Sequence, residues 1–240
     1  MSGREKIVLL AGGKGSRIKQ GDSPPKPLTP IGENPIIAHI IDGFARQGFT
    51  DVVVALGHYK GAMRAFFSGE QSNVRIEPVD TGEDTDTGGR VLRLKSILEQ
   101  DPFILAYSDA VWDVDLSNLL RFHRSHKRTA TIVAVQPRLS YGLLGLNGDQ
   151  VTSMIEKPML EDLWVSAGIF VLEPDVFGHL TGDDTSWELE TLPLLAGSNE
   201  LMVYKHRGFW QSMDTLKDAE LLNEIWEDGH APWLQTSKKD

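Results

Sequence analysis

The chain contains no cysteine, which removes disulfides, thiolate metal sites and cysteine nucleophiles together. It also has little in the way of long apolar runs near its start. The stretch Ile7 to Ala11 ends at glycines and is too short for a signal-peptide core or a membrane span. Both features fit a reducing compartment, so the expected location is the cytoplasm, with no membrane partner. Positive charge is in deficit, 24 Lys and Arg against 34 Asp and Glu for a net charge of -10. A nucleic-acid backbone would meet a repulsive field and is disfavoured as a partner. Neither G-x-S-x-G nor H-E-x-x-H occurs, so two common hydrolase signatures are missing.

What remains is the composition of a globular enzyme-sized chain: 240 residues, 40% hydrophobic and 24% charged. No repeat, low-complexity tract or Pro/Gly/Ser linker divides it, and residues 1–240 are expected to form one domain. Ile7 to Ala11, Val52 to Leu56, Phe103 to Tyr107 and Thr131 to Val135 have the length and branching of buried strands. Helical patterns lie between them. Asn34 and Pro35 are placed to open a helix carrying Ile36, Ile37, Ile40, Ile41 and Phe44, with Gly48 near its stop. Val91, Leu92, Leu94, Ile97 and Leu98 define a second helix, and Leu116, Leu119, Leu120 and Phe122 a third. Leu143 to Ile155 reads as a hairpin around Asn147 and Gly148. Thr215 to Trp226 reads as a final helix, followed by Trp233, which fits either a core flap or an interface. The alternation implies an α/β fold, a mostly parallel sheet covered by helices, with a small β-hairpin subregion.

The sharpest local signal is Ala11-Gly12-Gly13-Lys14-Gly15-Ser16-Arg17, directly after the first strand. Glycines admit backbone N–H groups close to an anion, and Lys14 and Arg17 add charge, so the loop suits phosphate. It matches neither the Walker nor the dinucleotide string, and a plain strand-to-helix turn also accommodates it. Lys26 follows inside Pro24-Pro25-Lys26-Pro27, where the prolines restrict the backbone and place a cation. Asp109 stands at the carboxyl end of Phe103 to Tyr107, where open α/β sheets bind ligands. With Asp214 it could hold Mg²⁺, though each could instead serve as a cap.

Three other patterns compete. Asp80 to Arg90 contains Asp-Thr-Gly twice and resembles an EF-hand start, but the twelfth position from Asp84 is Lys95 rather than Glu. A polar Gly-rich loop whose backbone faces a flat ligand such as a base is the remaining reading. Asp113-Val114-Asp115 has the D-x-D form of metal-dependent glycosyltransferases, although Asp115 equally caps the next helix. His123 and His126, one turn apart, read as exposed helix residues.

Together, LAGGKGSR and the following KP resemble the signature of sugar-1-phosphate nucleotidyltransferases, and so the Rossmann-like mixed sheet of that fold. VDTGEDTDTGGR, EKP at Glu156 to Pro158, GFWQSMDTLKD and WEDGHAPW are similar to glucose-1-phosphate cytidylyltransferases, also called CDP-glucose pyrophosphorylases, and the match runs from about Ile7 to Trp233. The resemblance implies transfer of CMP from CTP to a sugar 1-phosphate with Mg²⁺, in a homo-oligomer. It implies that Ala11, Gly12, Gly13, Gly15, Ser16 and Arg17 wrap the triphosphate and that Lys26 stabilises charge at the α-phosphate. Asp109 and Asp214 would hold the metal, with Arg17, Lys26 and Asp109 forming the catalytic set. Thr87, Gly88, Gly89 and Arg90 would select cytosine, and Ser108 would complete the nucleotide site. Gly142, Glu156, Lys157, Ser166 and Gly168 would bind the sugar phosphate. Ser108-Asp109-Ala110 stands where the family has Gly-Asp-Gly, Ser166-Ala167-Gly168 where Asn-Gly-Gly is expected, and Ser212 in place of a proline.

Overall fold

The computed structural model describes residues 5–15, 24–69, 73–139 and 141–234. In chain order the elements are β1 (Lys6–Ala11), β2 (Pro30–Ile31), β3 (Asn34–Pro35), α1 (Ile36–Arg46), β4 (Asp51–Leu56), α2 (Lys60–Gly69) and β5 (Arg75–Asp80). There follow α3 (Thr87–Arg93), α4 (Lys95–Leu98), β6 (Phe103–Tyr107), β7 (Ala110–Trp112), α5 (Leu116–His126) and β8 (Ala130–Val135). The chain continues through β9 (Leu143–Asn147), β10 (Gln150–Ile155), β11 (Val165–Leu172), α6 (Leu192–Gly197), β12 (Leu201–Lys205), β13 (Trp210–Ser212) and α7 (Leu216–Glu227).

Seven strands form one sheet in the order β12-β8-β11-β6-β1-β4-β5. Only β11 opposes the others, pairing antiparallel with both β6 and β8. The expected mostly parallel mixed sheet is therefore present, and β9 and β10 form the expected separate hairpin. β1 lies between β4 and β6, parallel to both. From β1 the chain builds outward through β4 and β5, then returns to the other side of β1 as β6. That reversal opens a crevice beyond the carboxyl ends of β1 and β6, the position where such sheets receive ligands.

Period-two alternation sends the two sides of β1 into two cores. Ile7, Leu9 and Ala11 join Phe44, Met63, Leu119 and Leu222 from α1, α2, α5 and α7 on one face. Val8 and Leu10 join Val91, Leu98 and Leu195 from α3, α4 and α6 on the other. Each fully buried Leu, Ile or Phe contributes roughly 1.5–3 kcal/mol, so the sheet is held rigid from both sides. Trp233 falls in the first core at 3% exposure, and its carbonyl accepts from Arg46 at 2.8 Å. Of its two sequence readings, the core flap is the one found.

Three local expectations need correction. Asn34 does not cap α1. It pairs with Ile31 in the β2–β3 ribbon, and the amide of Ile36 is already satisfied by the carbonyl of Thr29 at 3.0 Å. The second helix is two pieces, α3 and α4, because the Leu94 amide bonds back to Val91, three residues away, and tightens the turn. His123 is not a surface residue, and His126 is half-buried. His123 is 1% exposed, and both rings bond to the Thr131 hydroxyl, His123 Nδ1 at 2.8 Å and His126 Nε2 at 2.7 Å.

Candidate active site

A cavity of about 460 Å³ occupies the crevice at the ends of β1 and β6. One wall is the loop after β1, with Gly12, Gly13 and Gly15; another is Ser108 and Asp109 after β6; a third is the N-terminal part of α3. Ser108 donates its hydroxyl to the carbonyl of Leu10 at 2.7 Å, which ties the two strand ends together where the family pattern has glycine.

At one end of the cavity Lys26 Nζ donates to Asp109 Oδ2 at 2.7 Å and to Asp214 Oδ1 at 2.9 Å. Each of the three arrives by a separate device. Lys26 opens a 3-10 turn, Lys26–Leu28, entered from Pro25 and anchored by buried Pro27. Asp109 follows β6. Asp214 is delivered by β13, which pairs with β7 so that Ser212 faces Ala110 and the Met213 amide donates to the Asp109 carbonyl at 2.8 Å. α7 then begins at Thr215 with a reciprocal capping box to Asp218. Burial works against the Lys26 charge, but Asp109 first and Asp214 next outweigh it and hold the ammonium above its ordinary pKa.

The glycine loop rests on Arg90. This buried guanidinium donates to the carbonyls of Gly12 (3.2 Å), Leu56 (3.2 Å), Gly82 (2.6 Å) and Glu83 (3.3 Å), and to Thr81 Oγ1 (2.9 Å). A Cβ on Gly12 would collide with that guanidinium. Gly15, at φ +57°, lies against the Lys26 side chain, so the left-handed turn and the close approach both call for glycine.

The cavity wall also holds Glu188, in a short π-helical segment, Trp187–Thr191. Its carboxylate accepts from Thr87 Oγ1 at 2.6 Å and from the Tyr107 hydroxyl. Burial, and then the charge of Glu188, push the Tyr107 phenol far above its usual pKa, so it keeps its proton.

The family described as "Nucleotidyl transferase" matches residues 6–228. The chain belongs to this family. It is 36% identical to the glucose-1-phosphate cytidylyltransferase of Salmonella typhimurium, over 95% of this chain and 98% of that protein. It is 30% identical to a probable glucose-1-phosphate cytidylyltransferase of Bacillus subtilis, again over 95% and 98%. In fold it is similar to HddC from Yersinia pseudotuberculosis complexed with GMP-PN, with a TM-score of 0.73, 20% identity, and coverage of 92% of this chain and 99% of that one.

In this nucleotidyl transferase the cavity gathers many of the residues singled out in the sequence: Ala11 and the glycines at 12, 13 and 15, then Lys26, Thr87, Arg90, Ser108, Asp109 and Asp214. Ser16 and Arg17 lie outside the described residues. Gly88 and Gly89 do not present their backbone to the cavity, as the flat-ligand reading required. They are buried in α3, and their amides donate to the Thr185 carbonyl at 3.0 and 3.2 Å. Gly142, Glu156, Lys157, Ser166 and Gly168 are outside its lining. Gly142 and Glu156 are nonetheless neighbours, and Gly168 packs against the Tyr107 ring that forms part of the wall. The D-x-D pair points elsewhere: Asp113 Oδ1 takes the Phe209 amide at 2.7 Å and lies 2.8 Å from His206 Nε2, while Asp115 caps α5 through the Asn118 amide at 2.9 Å. Glu188 and Tyr107 were missed. Trp187-Glu188-Leu189 has no motif value, and Tyr107 reads as one more strand aromatic. Among the described residues no helix is long and apolar enough to cross a membrane.

Proposed function

We propose that this nucleotidyl transferase moves CMP from CTP to glucose 1-phosphate, forming CDP-glucose and pyrophosphate. The observation that carries the reading is Lys26 held between Asp109 and Asp214 in the same cavity as the glycine loop. The names of the Salmonella and Bacillus relatives support cytidine as the base and glucose 1-phosphate as the acceptor.

The glycine loop and Arg17 are assigned to the triphosphate, with Arg90 fixing the loop rather than touching phosphate, since its Nη1 and Nη2 already donate to protein oxygens. A phosphate oxygen of the acceptor attacks the α-phosphorus of CTP, the bond from α-phosphorus to the bridging β-oxygen breaks, and pyrophosphate departs. The acceptor phosphate is a competent nucleophile near neutral pH, so neither a covalent intermediate nor a Ser-His-Asp triad is required. Catalysis then rests on in-line alignment and charge neutralisation. Lys26, fully protonated, stabilises charge on the α-phosphate.

Asp109 and Asp214 each give one carboxylate oxygen to the Lys26 ammonium, and with Lys26 turned to the α-phosphate the two carboxylates would form a hard-oxygen donor set of the kind Mg²⁺ takes, one or two carboxylates plus substrate phosphates. When bound there, the ion supplies Lewis-acid neutralisation of both phosphates. Acceptor binding is assigned to Glu156 and Lys157, with Gly142, Ser166 and Gly168; the packing of Gly168 on Tyr107 connects this group to the cavity wall.

The test is pyrophosphate release from CTP and Mg²⁺, with and without glucose 1-phosphate. Release only when the acceptor is present supports the reading. CTP binding without acceptor-dependent release from any hexose 1-phosphate overturns it.

A further inference from the structure

Glu188 has a role that the triphosphate chemistry does not use. Its carboxylate takes the hydroxyl proton of Thr87 and that of Tyr107, one on each oxygen. A hydroxyl left to itself is ambivalent, donating or accepting as its ligand requires. Here both protons are committed. Thr87 Oγ1 has a second, longer acceptor for that proton in Asp86 Oδ1 at 3.2 Å, and it receives the Trp187 amide at 3.0 Å, so its proton points to one carboxylate or the other. Asp86, beside it on the cavity wall, accepts from the Thr87 amide at 2.6 Å and is likewise acceptor-only. This side of the cavity therefore offers lone pairs and no side-chain donor from Asp86, Thr87, Tyr107 or Glu188.

We propose that Glu188 is a specificity-determining positioning residue, locking Thr87 and Tyr107 as acceptors so that the wall admits a substrate group that donates a hydrogen bond and rejects a carbonyl. The proposal rests on the reading of the cavity as a CTP and sugar-phosphate site. On the nucleotide the matching donor is the 4-amino group of cytosine, where uracil and thymine carry a carbonyl. On the acceptor it is a sugar hydroxyl. Both have the same hydrogen-bonding chemistry. A site built to accept from a substrate N–H or O–H rejects the analogue lacking it strongly, because its own polar groups are left unpaired.

The experiment compares wild type with Glu188→Gln, an isosteric change at an exposed position that frees one hydroxyl proton and adds a donor. Steady-state kinetics are run with CTP and UTP at saturating glucose 1-phosphate, then with varied glucose 1-phosphate at saturating CTP; thermal unfolding is followed in parallel. A fall of about tenfold or more in the CTP-over-UTP preference, expressed in nucleotide KM, supports the lock and places its target on the base. An unchanged preference with a comparable rise in the KM for glucose 1-phosphate supports the lock and places its target on the sugar. Unchanged KM values for both substrates, or a loss of kcat matched by a lowered melting temperature, overturn the proposal. Failure of the parent reading has a different signature: wild type itself then shows no acceptor-dependent turnover with either nucleotide.

Discussion

Asp109 and Asp214, on distant parts of the chain, meet on one ammonium group: Lys26 Nζ lies 2.7 Å from the first carboxylate and 2.9 Å from the second. The pairing of β7 with β13 produces that meeting, since it sets Ala110 opposite Ser212. The two carboxylates are thus presented as a unit, and their substitutions should behave as one.

Asp109→Asn and Asp214→Asn are each expected to raise the Mg²⁺ concentration required for half-maximal activity by roughly tenfold or more. The double variant should lose much less than the product of the single losses, as coupled sites do. Magnesium titrations of initial rate check this, and multiplicative losses would show two independent sites.

Lys26→Met should lower kcat by about 10²–10³-fold, the range seen when a group stabilising transition-state charge is removed. CTP affinity, measured by equilibrium binding, should change far less, because the glycine loop and its Arg90 support are untouched. An unchanged kcat would remove Lys26 from the catalytic set.

Arg90→Met is expected to destabilise the fold by roughly 2–4 kcal/mol, since it strips donors from several buried or half-buried carbonyls. It should also raise the KM for CTP. Gly12→Ala should do the same on a smaller scale, because the new Cβ displaces the guanidinium that orders the loop. Denaturant unfolding beside nucleotide kinetics separates the two effects.

His123 gives a pH prediction. Burial, with His126 and Arg124 nearby, lowers its folded pKa from 6.5 to about 4. Between those values the unfolded chain binds the proton and the folded chain does not, so this contribution is fully present above pH 6.5 and is lost as pH falls toward 4. Glu173, raised mainly by burial, acts in the opposite sense, losing its contribution as pH rises. The readout is therefore the difference between wild type and His123→Gln. Urea midpoints at pH 4.5 and pH 7 should diverge less in the variant, and equal slopes would contradict the assignment.

The fold was legible where periodicity was strong. β1, β4, β6 and β8 are apolar runs buried on both faces, and the hairpin announced itself through Asn147 and Gly148. What local pattern did not show was long-range satisfaction of polar groups. Asn34 lost its capping role because Thr29 supplied the acceptor, and His123 went inside because Thr131 supplied a partner.

The cavity wall was readable from residue type and family pattern at Gly12, Lys26, Asp109 and Asp214, all of which line it. It was not readable at Gly88 and Gly89, which lie off the lining with their amides on the Thr185 carbonyl. It was invisible at Glu188, whose partners Thr87 and Tyr107 come from separate elements and mark no spacing in the sequence.

The central claim, attack by the acceptor phosphate on the α-phosphorus of CTP, is tested most directly with glucose 1-phosphate labelled with ¹⁸O throughout its phosphate group. Incubated with CTP, Mg²⁺ and the enzyme, it should give CDP-glucose carrying all the label and unlabelled pyrophosphate. Label in the pyrophosphate, or turnover of CTP with no CDP-glucose formed, would contradict it.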